Sequence, residues 1–191
     1  MPLPPSAPRR HFHTRRIESN GYRREDGLWD IEARIVDTKP FRYTDWERGL
    51  MEPGRPVHDM EVRLTIDDGM VVRDVATATN HAPYNICHDA GPRFEALIGL
   101  KIGGGWRQKT REAVGGTKGC THMVELLDVL ATVAFQTMSL GAEADKADGK
   151  TSWAVEGRPY FLNGCYSWDV SREVVKRHLP QFHEPKETPK A

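Results

Sequence analysis

Charge of one sign is missing from this chain: 27 lysines and arginines balance 27 aspartates and glutamates over 191 residues, a formal net charge of zero. Nucleic-acid binding driven by global charge is thereby excluded, and only a local basic patch is left for such a role. Cysteine is scarce. Its three copies cannot all pair within one chain and no Cys-x-x-Cys occurs, so neither a disulfide framework nor a structural zinc site of ordinary local spacing is encoded. The N-terminus has no charged-then-apolar signal segment, which together with free thiols reads as a reducing, cytoplasmic location. Nor is there a long uninterrupted apolar run. The strongest, residues 123–140, contains Glu125, Asp128 and Gln136, which makes it a buried helix rather than a membrane span. The Gly-x-Ser-x-Gly elbow, the phosphate-binding loop and the dinucleotide fingerprint are all absent.

What is present fits one soluble domain with trailing ends, 38% apolar and 28% charged. Residues 1–24 hold Arg9, Arg10, Arg15, Arg16, Arg23 and Arg24 against a single acid, Glu18, and read as a flexible basic arm that a protein partner or a small anion could engage. Residues 25–178 form the body and 179–191 a Pro-rich tail. Trp29, Ile31, Ala33 and Ile35 alternate with Asp30, Glu32 and Arg34, the period of a half-buried strand. Met60, Val62, Leu64 and Ile66 repeat that period, and Asp68-Gly69 suits a two-residue turn that would pair Ile66 with Val71, Val62 with Val75 and Arg63 with Asp74. Gly91-Pro92 opens a helix that carries Phe94 and Leu97. A short amphipathic piece covers 106–114, and a long, nearly surrounded helix covers 121–140 and stops at Gly141. A later hairpin is expected around Asn163-Gly164, and a short helix capped by Ser171 runs to about His178. The fold class is α+β: a three-stranded, mainly antiparallel sheet packed by helices, one of them long and buried.

The residues able to do chemistry cluster at element ends. Cys87 lies in the loop after the third strand, and Cys120 at the mouth of the long helix, where unpaired N–H groups and the helix dipole favour a thiolate. With a nearby histidine, His58 or His122, these thiols could converge on a soft or borderline metal, zinc or an iron–sulfur cluster. Cys120 and His122 cannot point the same way from a regular helix, so they cooperate only if Cys120 precedes its first turn. The second chemistry is a small-molecule enzyme with Cys120 as nucleophile beside His122, or with an anionic substrate seated on Gly116, Lys118, Gly119 and the helix N-terminus. A third reading is a non-catalytic accessory protein that binds a partner through the arginine-rich arm. His11 and His13 read as part of that arm.

The run from Tyr22 to Ala33, Asp37-Thr38-Lys39 and Gly119-Cys120-Thr121-His122-Met123-Val124-Glu125-Leu126-Leu127 together resemble a bacterial family known as domain of unknown function 2889, over roughly residues 9 to 170. That family implies no activity. The order of strands, Cys-bearing loop and Cys-headed long helix is more remotely similar to the U-type iron–sulfur cluster assembly scaffolds. There Asp59 would fall at the start of a strand as a ligand, with Cys87 and Cys120 as the middle and last cysteines. Val57 or His58 stands where the first scaffold cysteine would be, and Gly119 stands where the histidine before the last cysteine is expected.

Overall fold

A computed structural model describes residues 2–144, 158–159 and 161–185. The chain divides into two compact units, Met1–Ala147 and Asp148–Ala191, where the sequence suggested one body over 25–178.

The first unit is built on a four-stranded antiparallel sheet in the order β1 (Thr14–Arg23), β2 (Trp29–Thr38), β5 (Pro56–Ile66), β6 (Val72–His81), and a small hairpin of β3 (Tyr43–Asp45) and β4 (Gly49–Met51) joins β2 to β5. The class is α+β, with four strands in the main sheet rather than three. The additional strand is β1, formed from the stretch read as a flexible arm. Three of the arm's six arginines are held by acids: Arg15 by Asp37 and Glu125, Arg23 by Asp68, and Arg24, just past β1, by Asp26. Those pairs, and the ladder β1 makes along the whole of β2, offset the ordering entropy that its few apolar residues could not.

Alternation sets the two faces of the sheet. Trp29, Ile31, Ala33 and Ile35 on β2 and Met60, Val62, Leu64 and Ile66 on β5 are buried on one face. The opposite face carries a ladder of Glu32–Arg63, Arg34–Asp59 and Arg34–Glu61 pairs. The β5–β6 register differs from the two-residue-turn pairing. Asp67 donates its N–H to Val71 O, accepts Met70 N–H on its carbonyl and accepts Val71 N–H on Oδ1, while Met70 takes the left-handed conformation at φ 62°. A register shift then places Ile66 opposite Val72 and Thr65 opposite Asp74, so Leu64 faces Val75 and Val62 faces Thr77. The apolar Leu64–Val75 pair replaces the Leu64–Arg73 mismatch that the shorter turn would have forced.

Two 3-10 segments follow, Asn85–Ala90 and Pro92–Leu97, the second burying Phe94 and Leu97 where a helix was expected. Helix α1 (Trp106–Val114) comes next, and α2 (Thr121–Ala144) runs past Gly141 rather than ending there. The buried face of α2 (Met123, Leu126, Leu127, Leu130 and Ala134) lies in the same core cluster as the inward residues of β2 and β5. Gly21 of β1 lies so close to α2 that a Cβ there would stand 1.9 Å from Thr137 Oγ1. No described helix is long and apolar enough to cross a membrane.

The second unit has a small core of Leu162, Val170, Val175 and Leu179, with a short helix α3 (Glu173–His178). The hairpin expected around Asn163-Gly164 is a series of turns, with no strand among the described residues. Asn163 is at φ 61° and donates its N–H to Trp168 O. Ser171 does not cap α3; its hydroxyl donates to Asp169 Oδ1, and Arg172 is the residue before the helix.

Candidate metal centre

The inward alternation of β2 and β5 does not end in apolar residues. On β2 it continues from Ile35 to Asp37, and on β5 it begins at His58 before Met60. Asp37 and His58 are direct cross-strand partners, and Arg15 is the partner of Asp37 on β1, so one row across three strands reads Arg15, Asp37, His58 on the face toward α2. A register shift follows at once: Thr38 pairs with Pro56, leaving Val57 as an extra residue in β5. Such bulges re-aim neighbouring side chains, here at the end of the row.

Asp37 is only 1% exposed and is the hub. Arg15 grips it with two parallel bonds, Nε to Oδ1 and Nη2 to Oδ2, each 2.8 Å, and its remaining nitrogen reaches Glu125 on α2. His58 Nδ1 donates to Asp37 Oδ2 at 3.0 Å, and His13 Nε2 lies 3.2 Å from Oδ1. From the first turn of α2, His122 stacks on His58 with ring centroids 3.7 Å apart, and its Nε2 is 3.9 Å from Asp37 Oδ2. Asp37, His58 and His122 each offer one ligand atom, all within 4.8 Å of one another, and they form the one such group among the described residues.

Burial by itself would raise the Asp37 carboxyl, but the Arg15 guanidinium, with help from His58, holds it down at about 2. Burial lowers His58 to about 4, with the neighbouring His122 adding to the effect and Asp37 opposing it. Burial and then Arg15 lower His122. At neutral pH the arrangement is therefore a carboxylate with two neutral imidazoles, the protonation state a metal requires.

The shift of His58 is also a statement about stability. Between pH 4 and 6.5 the unfolded chain binds more protons than the folded one, so in chelator-treated protein stability rises with pH across that window. The expected contribution of His58 between pH 5 and 7 is about 2 kcal/mol. Urea midpoints at the two pH values measure it, and the difference should shrink by more than half in His58→Phe; an unchanged difference would assign the effect elsewhere.

Of the other residues singled out in the sequence, Cys120 immediately precedes α2, the condition for cooperation with His122, and its Sγ lies 3.9 Å from His122 Nδ1 and 3.6 Å from Met60 Sδ. Asp59 does not join them. One position along β5 from His58, it points to the opposite face, where Arg34 grips it with bonds of 2.8 and 2.7 Å. Cys87 lies on the 3-10 segment Asn85–Ala90 and belongs to no ligand group among the described residues. Lys118 donates to Glu112 O near the end of α1. At Gly119 a Cβ would meet Val114 O at 2.6 Å and the Phe94 ring at 3.2 Å, so its small size serves packing. Gly116 lines a cleft with Arg107, Arg111 and Thr121.

Asp37, Arg15, His13 and Met60 were not read from the sequence as residues of a site. The signal for Asp37 was available: an acid in the inward phase of a strand, two positions beyond Ile35, is a buried charge that needs partners.

The chemistry of this donor set, two imidazoles and a carboxylate with one thiol nearby, is not that of an iron–sulfur cluster, which is held by several thiolates. No curated protein and no solved structure gives a significant match, so the likeness to the iron–sulfur scaffolds gains no support. One family does match, over residues 13–136, a span that takes in every strand of the sheet, α1 and the α2 turns bearing His122 and Glu125. By that match the chain belongs to the family described as protein of unknown function DUF2889.

Proposed function

We propose that the protein binds a divalent first-row transition ion through Asp37, His58 and His122. The observation that carries this is the convergence of three ligand atoms from β2, β5 and α2 within 4.8 Å at a buried carboxylate. Donors about 2.1 Å from an ion in tetrahedral array stand about 3.4 Å apart. The Asp37 Oδ2 separations of 3.0 Å to His58 Nδ1 and 3.9 Å to His122 Nε2 bracket that spacing, and on binding the ion replaces the Nδ1–H hydrogen bond of His58, whose proton then sits on Nε2. Two histidines and one carboxylate leave coordination positions open, the pattern of a centre that can take water or a substrate oxygen. Arg15 orients the carboxylate through both of its oxygens, and Glu125 balances the guanidinium, so the surroundings of the ion keep a net negative charge.

The test is metal content and titration. Tag-free protein purified without chelator should carry, or take up from Co(II), Zn(II), Mn(II) or anaerobic Fe(II), one equivalent per chain, and His58→Ala with His122→Ala should retain less than a tenth. Wild-type protein that binds none of these ions, or a double variant that binds as well as wild type, would overturn the reading.

A further inference from the structure

His122 has two ring nitrogens, and they face different chemistry. Nε2 points toward Asp37, while Nδ1 lies 3.9 Å from Cys120 Sγ, which in turn is 3.6 Å from Met60 Sδ. On the Nδ1 side the donors are a thiol, a thioether and an imidazole, with no carboxylate among these contacts. We infer that Cys120, Met60 and His122 Nδ1 form a binding site for Cu(I), a soft monovalent ion.

The donor spacing suits that ion. With a metal about 2.3 Å from sulfur and about 2.0 Å from nitrogen, the two measured separations correspond to angles of roughly 100° at the sulfur pair and 130° between Sγ and Nδ1. Those leave about 130° for the third angle of a planar three-coordinate site, a low-coordinate geometry without room for a hard ion's water shell. Thiolate and thioether donors select Cu(I) over the oxygen-loving divalent ions. Access and rigidity are divided between the sulfurs. Met60 is 1% exposed, fixed in the inward row of β5, whereas Cys120 is half-buried at the start of α2 and offers the ion a way in. Binding exchanges the thiol proton for the ion: the S–H bond breaks, a Cu–S bond forms, and one proton is released to solvent with no change of oxidation state. The site does not rest on the divalent centre, with which it shares one ring through the opposite nitrogen.

The experiment is anaerobic competition between the full chain and bicinchoninate for Cu(I). Wild-type protein should withdraw one equivalent from the coloured complex. Cys120→Ser should weaken binding by at least a hundredfold and Met60→Leu, which keeps the volume of the core side chain, by about tenfold. Cys87→Ser should stay within twofold of wild type, with folding of every variant checked by circular dichroism. The Met60→Leu arm separates this site from the divalent centre, because Met60 is a ligand of this site alone. Wild-type protein that cannot compete, Met60→Leu binding as tightly as wild type, or equal loss in Cys87→Ser would each overturn the assignment.

Discussion

Asp37→Asn is expected to remove about 2–3 kcal/mol of stability from the chelator-treated protein, measured by urea unfolding at pH 7, and to abolish divalent-ion uptake. The side chain keeps its shape, so the loss is electrostatic. An amide can accept from Arg15 through one oxygen only, and its NH2 group then faces a guanidinium N–H at the position of the second 2.8 Å bond. Truncating a fully buried pair would cost about 3–5 kcal/mol, and the lower figure reflects Arg15, 30% exposed and still paired with Glu125. Asp59→Asn is the matched control. Asp59 is also buried and gripped at two points by an arginine, but Arg34 is 52% exposed on the open face, and Asn80 and His81 remain as further partners of the side chain, so the expected loss is about 1 kcal/mol. Equal losses in the two variants would show that the row Arg15, Asp37, His58 has no greater energetic role than the Arg34–Asp59 pair.

Gly21→Ala tests whether the N-terminal segment is part of the fold. Replacing a strand glycine with alanine ordinarily stabilises by roughly 0.5–1 kcal/mol, because the unfolded chain loses freedom. Here the added Cβ would stand 1.9 Å from Thr137 Oγ1, 2.7 Å from its Cγ2 and 2.8 Å from its Cβ. β1 and α2 must therefore separate, at a cost of about 2–3 kcal/mol for overpacking. Thr137→Ala removes two of the three clashing atoms and should recover at least half of that loss in the double variant while costing little alone. Such non-additivity is the signature of direct contact. Additive effects within about 0.3 kcal/mol would return residues 14–23 to a loosely attached segment.

Periodicity carried much of the fold. β2, β5, β6, α1 and the start of α2 follow from alternation and capping glycines, and the inward residues of β2 and β5 are the ones those patterns select. β1 was hidden because its register is stabilised by ion pairs to residues 22 and 110 positions away, which no local pattern displays. The β5–β6 register was missed for a related reason: Met70 adopts a left-handed conformation that favours glycine, held by Asp67, and Asp68-Gly69 gave a stronger local signal for a shorter turn. In the candidate site, His58, Cys120 and His122 were legible as chemistry at element ends. Asp59 was chosen over Asp37 because the likeness to the iron–sulfur scaffolds puts a ligand at that strand start, but adjacency to His58 along a strand means opposite faces.

The row from β1 to β5 and the first turn of α2 also fix an order of events. Every strand of the sheet precedes residue 82, whereas His122 and Glu125 come about forty residues after the last of them. The sheet can therefore form by successive local pairings, while the contact from Arg15 to Glu125 closes a loop of 110 residues and must come late. A ligand that needs His122 as well as Asp37 has nothing complete to bind until α2 has docked. Its binding energy then falls on the finished fold alone, by an amount that grows with the logarithm of its concentration.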